Sequence, residues 1–125
     1  MSDIVVAFDL PRRRPIAPAG PPTLYPARVA RQVALAHMLE ARITAGEFET
    51  PAQMARALGL TRARISQLFD LLILAPDIQE EILFLRFPAG IQPLSEASLR
   101  PIGRHLLWTD QRRAWAQLKR KRNLA

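Results

Sequence analysis

Gly59 stands between two short runs whose apolar residues recur at helical spacing, and no other position constrains the chain as much. Before it, Met54, Ala55 and Leu58 fall on one face at three- and four-residue steps. Thr50 is placed to cap that helix, and Pro51 takes its first position, where a missing N–H costs nothing. After the glycine, Thr61 can cap a second helix that carries Ile65, Leu68 and Leu72 inward. A glycine at such a junction accepts the left-handed backbone that closes one helix and lets the next leave at an angle. Small Ala55 permits close approach of the two helices and Ile65 fills the angle between them, which is the grammar of a helix-turn-helix. The second helix keeps an outer face of Arg62, Ala63, Ser66, Gln67 and Asp70.

Arginine, serine and glutamine can hydrogen-bond base edges or phosphates, and here they lie at the N-terminal end of the second helix, the end such motifs insert into the major groove. The same Ala, Gly, Ile trio also occurs in helical hairpins that touch nothing, where the face is simply solvated. Charge weighs between the two. The 125 residues carry 18 basic and 11 acidic side chains, formally +7, a balance that favours a polyanionic partner. The excess is local: from Arg104 onward seven cations (Arg104, Arg112, Arg113, Lys119, Arg120, Lys121, Arg122) face only Asp110, so this end holds +6 of the +7.

Composition closes off other chemistries. There is no cysteine, which excludes disulfides, thiolate metal sites and cysteine nucleophiles. The two histidines are far apart, no glycine-rich loop could cradle a phosphate, and no metal-ligand spacing occurs, so no catalytic residue, metal or cofactor is expected. No apolar run approaches a membrane span and no secretory leader opens the chain, so the expected compartment is cytoplasmic.

The pattern predicts a mainly α fold of five to six helices, with three regions. Residues 1–26 form a Pro- and Arg-rich arm. Residues 4–10 (IVVAFDL) admit a short strand whose partner could be residues 84–87. Residues 11–26, with six prolines and the block Arg12, Arg13, Arg14, cannot support a helix and should be extended and mobile. Such an arm is either a solvated linker or a basic strap along phosphates. Residues 27–118 form the helical domain. Residues 27–45 are a helix with Val29, Val33, Ala36, Leu39 and Ile43 on one stripe, stopped by Gly46, and His37 lies off that stripe with no assigned role. Residues 71–74 are an apolar run bounded by Pro76 and read as core. Residues 77–85 read as a helix with Ile78, Ile82 and Leu85 inward, and its acids Asp77, Glu80 and Glu81 suit the helix dipole rather than catalysis. Ser95 should cap a helix reaching about Leu107, kinked or divided by Pro101, and Thr109 should cap a last helix with Trp115 and Leu118 inward. Residues 119–125 then form a basic tail, solvated or touching phosphate through Lys119, Arg120, Lys121 and Arg122.

The run ARALGLTRARISQL followed by DLLILAPDIQEEIL resembles the central DNA-binding part of the ParB and KorB proteins, over residues 53–83 and more loosely 94–107. The resemblance implies double-stranded DNA binding through the helix that begins at Thr61. The nucleotide-binding and dimerisation domains of full-length partition proteins have no counterpart in these residues. The expectation is therefore a small stand-alone bacterial or phage member, without CTP binding or clamp sliding.

Together these readings make a sequence-specific DNA-binding protein the leading expectation, as a small transcriptional regulator or DNA-transaction accessory factor. Arg62 and Gln67 would read bases, and Thr61, Arg64 and Ser66, beside Ala63, would mainly meet phosphate. The alternative is an interaction module that shows its acidic helix or tryptophans to a larger DNA-processing protein. A homodimer is compatible with either, although no heptad seam is present.

Overall fold

The computed structural model describes residues 20–124, so residues 4–10 and the block Arg12, Arg13, Arg14 lie outside it. The described residues are mainly helical, with six α-helices and one two-stranded antiparallel sheet. Strand β1 (Leu24–Pro26) leads into α1 (Arg28–Thr44), α2 (Pro51–Leu58) and α3 (Arg62–Asp70). A 3-10 turn (Leu71–Ile73) then joins α4 (Pro76–Leu83), β2 (Arg86–Pro88), α5 (Glu96–Gly103) and α6 (Trp108–Lys121).

Local chemistry sets most of these boundaries. Thr50 Oγ1 accepts from Gln53 N at 3.1 Å and Pro51 opens α2, as the capping pattern requires. Gly59 closes the helix at φ 72°, in the left-handed region where a side chain is strained. Thr61 Oγ1 then accepts from Arg64 N at 3.0 Å and starts α3. Met54, Ala55, Ile65 and Leu68 are buried as the stripes predict, but Leu58 is not: it is 36% exposed, and beyond the left-handed corner Leu60 packs on the core instead.

Three other boundaries depart from the sequence reading. The strand beside Phe87 is β1, paired as Leu24 with Pro88, Tyr25 with Phe87 and Pro26 with Arg86, so the partner comes from the end of the proline-rich arm. Proline is tolerated there because a two-stranded edge leaves some N–H groups without a ladder partner. Helix α5 ends at Gly103 rather than near Leu107. Pro101, inside the helix, cannot donate to the preceding turn, and a Cβ at Gly103 would only just reach Leu74 and the backbone of Asp70, at 3.9 and 4.0 Å. Helix α6 begins one residue before Thr109, with Leu107 at the N-cap, whose carbonyl accepts from Asp110 N and Gln111 N.

Helix α1 runs through two core clusters and joins them. Its first half gives Val29, Ala30 and Val33 to a cluster with Leu74, Ile78, Ile82, Phe87, Leu99, Ile102 and Trp115. Its second half gives Ala36 and Leu39 to a smaller cluster with Met54, Ala55, Ile65 and Leu68. Ile43 is only half-buried at the edge of the second, and of the run 71–74 expected as core Leu71 and Leu74 are buried while Ile73 is 53% exposed, because three residues per turn put Leu71 and Leu74 on one side and turn Ile73 away. The pair α2 and α3 is thus held from behind by α1, and their outer surface is left to solvent.

Candidate nucleic-acid interface

With Ile65 and Leu68 taken into the core, the helical repeat forces Arg62, Ala63, Ser66, Gln67 and Asp70 onto the opposite side of α3, and all five are exposed. Thr61 is exposed as well, although its hydroxyl oxygen is used as the helix cap, which leaves the hydroxyl proton to donate outward. Among the described residues Arg62 and Ser66 have no side-chain hydrogen bond. Gln67 has one weak intramolecular contact, accepting from Arg64 Nη1 at 3.4 Å.

Arg64 is the exception in this set. It is half-buried, and its Nη1 donates to Glu96 Oε2 at 2.8 Å while its Nη2 lies 2.8 Å from Glu96 Oε1. The Oε1 contact is poorly directed for a hydrogen bond, so the pairing there is mainly electrostatic. Arg100, four residues along α5, adds a second cation 3.7 Å from Glu96 Oε2. The Glu96 hydrogen bond raises the Arg64 pKa above its ordinary value, against a smaller lowering by burial. Glu96 is 9% exposed, an acid buried because two arginines answer it. The pair spans 32 residues of sequence and fastens α3 to α5, so Arg64 holds the helix in place. On one side of this pair lies a groove of about 300 Å³ lined by Arg28, Gln32, Gln92 and Arg100 among others. On the other lies a cleft of about 210 Å³ bounded by Gln67, Asp70, Ile73 and Arg104.

The basic end of the chain is organised. Lys119, Arg120 and Lys121 form the last turn of α6, and Leu124 beyond them packs on the first core cluster. Lys119 Nζ reaches Glu81 Oε2 at 2.7 Å and lies 5.5 Å from the Trp115 ring centroid. Arg122 donates to the carbonyl of Pro93 at 3.3 Å. Arg112 forms a two-pronged bond to Asp77 at 2.9 and 3.2 Å, which lowers the Asp77 pKa. Two of the three acids of α4 are therefore answered within the chain. Arg120 and Lys121 remain exposed, with no ion pair among the described residues.

Glu96 and Arg100 were not read from the sequence as part of this region. Their four-residue spacing is a legible helical ion pair, but nothing local ties either to Arg64. Among the described residues no cluster of His, Asp or Glu could hold a metal ion, and no helix is long and apolar enough to cross a membrane. Comparison with protein-family models, curated proteins and solved structures found no match.

Proposed function

We propose that this chain binds double-stranded DNA by inserting α3 into the major groove, as a small regulator or an accessory factor in DNA transactions. The observation that carries this reading is the division of labour on α3. Its apolar side and Arg64 are spent on the fold, while Arg62, Ser66 and Gln67 stand exposed together within the first two turns. Arg62 can present two donors to a guanine edge, and Gln67 a donor and an acceptor to adenine. Thr61 and Ser66 suit phosphate oxygens, and Ala63, small and exposed between them, lets the helix approach the groove floor. The resemblance of residues 53–83 to the ParB and KorB proteins supports the same reading. Arg120 and Lys121 are the exposed cations of α6 that suit auxiliary phosphate contacts.

The alternative, a module that docks on a larger DNA-processing protein, draws on the exposed Leu106, Leu107 and Trp108. It draws less on the acidic helix, since Asp77 and Glu81 are already paired. Selection of bound duplexes from a random pool by the purified chain tests between them. Enrichment of a common motif is the expected result, and recovery of an unenriched pool at low salt would remove sequence-specific binding.

A further inference from the structure

Arg64 serves two acceptors with one nitrogen. Its Nη1 carries two hydrogens and donates to Glu96 Oε2 at 2.8 Å and to Gln67 Oε1 at 3.4 Å. The first contact governs, because Glu96 is buried and its other oxygen lies 2.8 Å from Arg64 Nη2. The guanidinium plane is therefore set from inside the protein, by an acid at the start of α5. The second contact is longer and reaches outward, to a residue three positions further along α3 and exposed on its outer face. A guanidinium has donors and no acceptor, so the amide atom that meets it is the carbonyl oxygen. Held in this way, Gln67 keeps one oxygen lone pair and both Nε2 hydrogens free of side-chain bonds among the described residues.

We propose that Arg64 is a positioning residue for base readout: oriented by Glu96, it fixes the amide of Gln67 so that α3 prefers adenine at one base pair of its site. This rests on the DNA-binding reading above. An amide free to turn can offer either its oxygen or its nitrogen at one point of the groove, and so satisfies several bases. An amide held by its oxygen presents an acceptor and a donor in one fixed order, the complement of adenine N6 and N7. Supporting contacts of this kind decide how sharply an exposed polar group discriminates. The role goes beyond fastening α3 to α5. A pair that only fastened the helix would let every base preference stand or fall together, whereas the shared Nη1 singles out the base pair met by Gln67.

The first measurement needs no DNA. Magnetic relaxation of the side-chain amide nitrogens in the free, full chain should show Gln67 more ordered than Gln117, which is exposed and has no side-chain hydrogen bond among the described residues. Arg64→Met should remove the difference. The second measurement is duplex selection by the wild type, Gln67→Ala, Arg64→Met and the double variant, each first shown by its thermal melt to be folded. Arg64→Lys stands in where Arg64→Met unfolds, because it keeps a charge for Glu96 but lacks the fork that serves two acceptors. Gln67→Ala and Arg64→Met should each lose at least about fivefold discrimination at the same base pair and keep the preferences elsewhere. Once Gln67 is alanine, Arg64→Met should change that base pair no further. Equal order of the two amides in the wild type, a preferred base other than adenine at that pair, a loss spread evenly over the site, or an undiminished Arg64 effect beside Gln67→Ala would each overturn the positioning role and leave the DNA reading standing. A wild-type chain that selects no duplex would overturn both.

Discussion

Gln79 and Gln111 reach the same short turn from two different helices and between them take up its backbone polar groups. Gln79 Nε2 donates to the carbonyls of Leu72 at 3.1 Å and Leu74 at 2.8 Å. Gln111 accepts from Ala75 N at 2.8 Å and donates to Ile73 O. The bonds to Ala75 N and Leu74 O are fully buried, where an unpaired backbone group would be costly. His37 joins the arrangement from α1, its Nε2 2.6 Å from Gln79 Oε1.

Gln111→Leu keeps the volume and removes the partners. The buried Ala75 N–H loses its acceptor, and the expected destabilisation is about 1–3 kcal/mol. Urea denaturation measures it, and an unchanged midpoint would mean that water replaces the amide.

Gly59→Val should cost on the order of 1–3 kcal/mol, because φ 72° is a strained backbone for a β-branched residue. The cost is conformational, since a Cβ at Gly59 would meet nothing within 4 Å. Gly59→Asn should therefore recover much of the loss, as asparagine tolerates this region better. Equal thermal melts for valine and asparagine variants would contradict this.

Arg62→Ala and the double change Arg120→Ala with Lys121→Ala should fail differently on DNA. Loss of a base contact should weaken the preferred duplex by roughly 1–3 kcal/mol and scrambled duplexes much less. Loss of the two α6 cations should weaken all duplexes alike and flatten log affinity against log salt by about 0.9 per lost phosphate contact. Lys119 is unsuited to this test, because removing it also breaks the Glu81 pair. Titration of both variants at three salt concentrations distinguishes the two effects.

Asp77 titrates below its ordinary value of 3.8, chiefly because Arg112 is hydrogen-bonded to the carboxylate. The stability it adds is therefore complete above that ordinary value and is lost as pH falls through the lower folded value. The contribution is small at an exposed site. Asp77→Asn should make the fall of Tm below about pH 4 shallower than in the wild type, which melting over an acid series would read.

The parts of this fold that were legible in the sequence are those written in a few consecutive residues. Thr50, Pro51, Gly59 and Thr61 each act on their own helix end, so the two helices and the corner could be placed from local rules. Long-range partners left no such mark. Gln79 and Gln111 sit on helices among charged residues and give no sign that both are buried. Arg64 reads as another surface cation until Glu96 arrives from α5. The β-branched and aromatic residues 4–10 carry the stronger local strand signal, whereas Leu24–Pro26, at the end of a proline-rich stretch, carries little and is the segment that pairs with Phe87. A three-residue ladder needs few donors, and the proline falls at its end.

The two core clusters differ in how much chain must be gathered to build them. The one beneath α2 and α3 draws on residues between Leu35 and Leu72, all close in sequence. The other draws on residues from Ala27 to Leu124. Loop closure slows the formation of distant contacts, so the helix-turn-helix half should assemble early and the return of α6 should complete folding. The amide of Ala75, bonded to a side chain 36 residues away, is then a reporter of that final docking: its hydrogen exchange should follow the detachment of α6 rather than the fraying of its own turn.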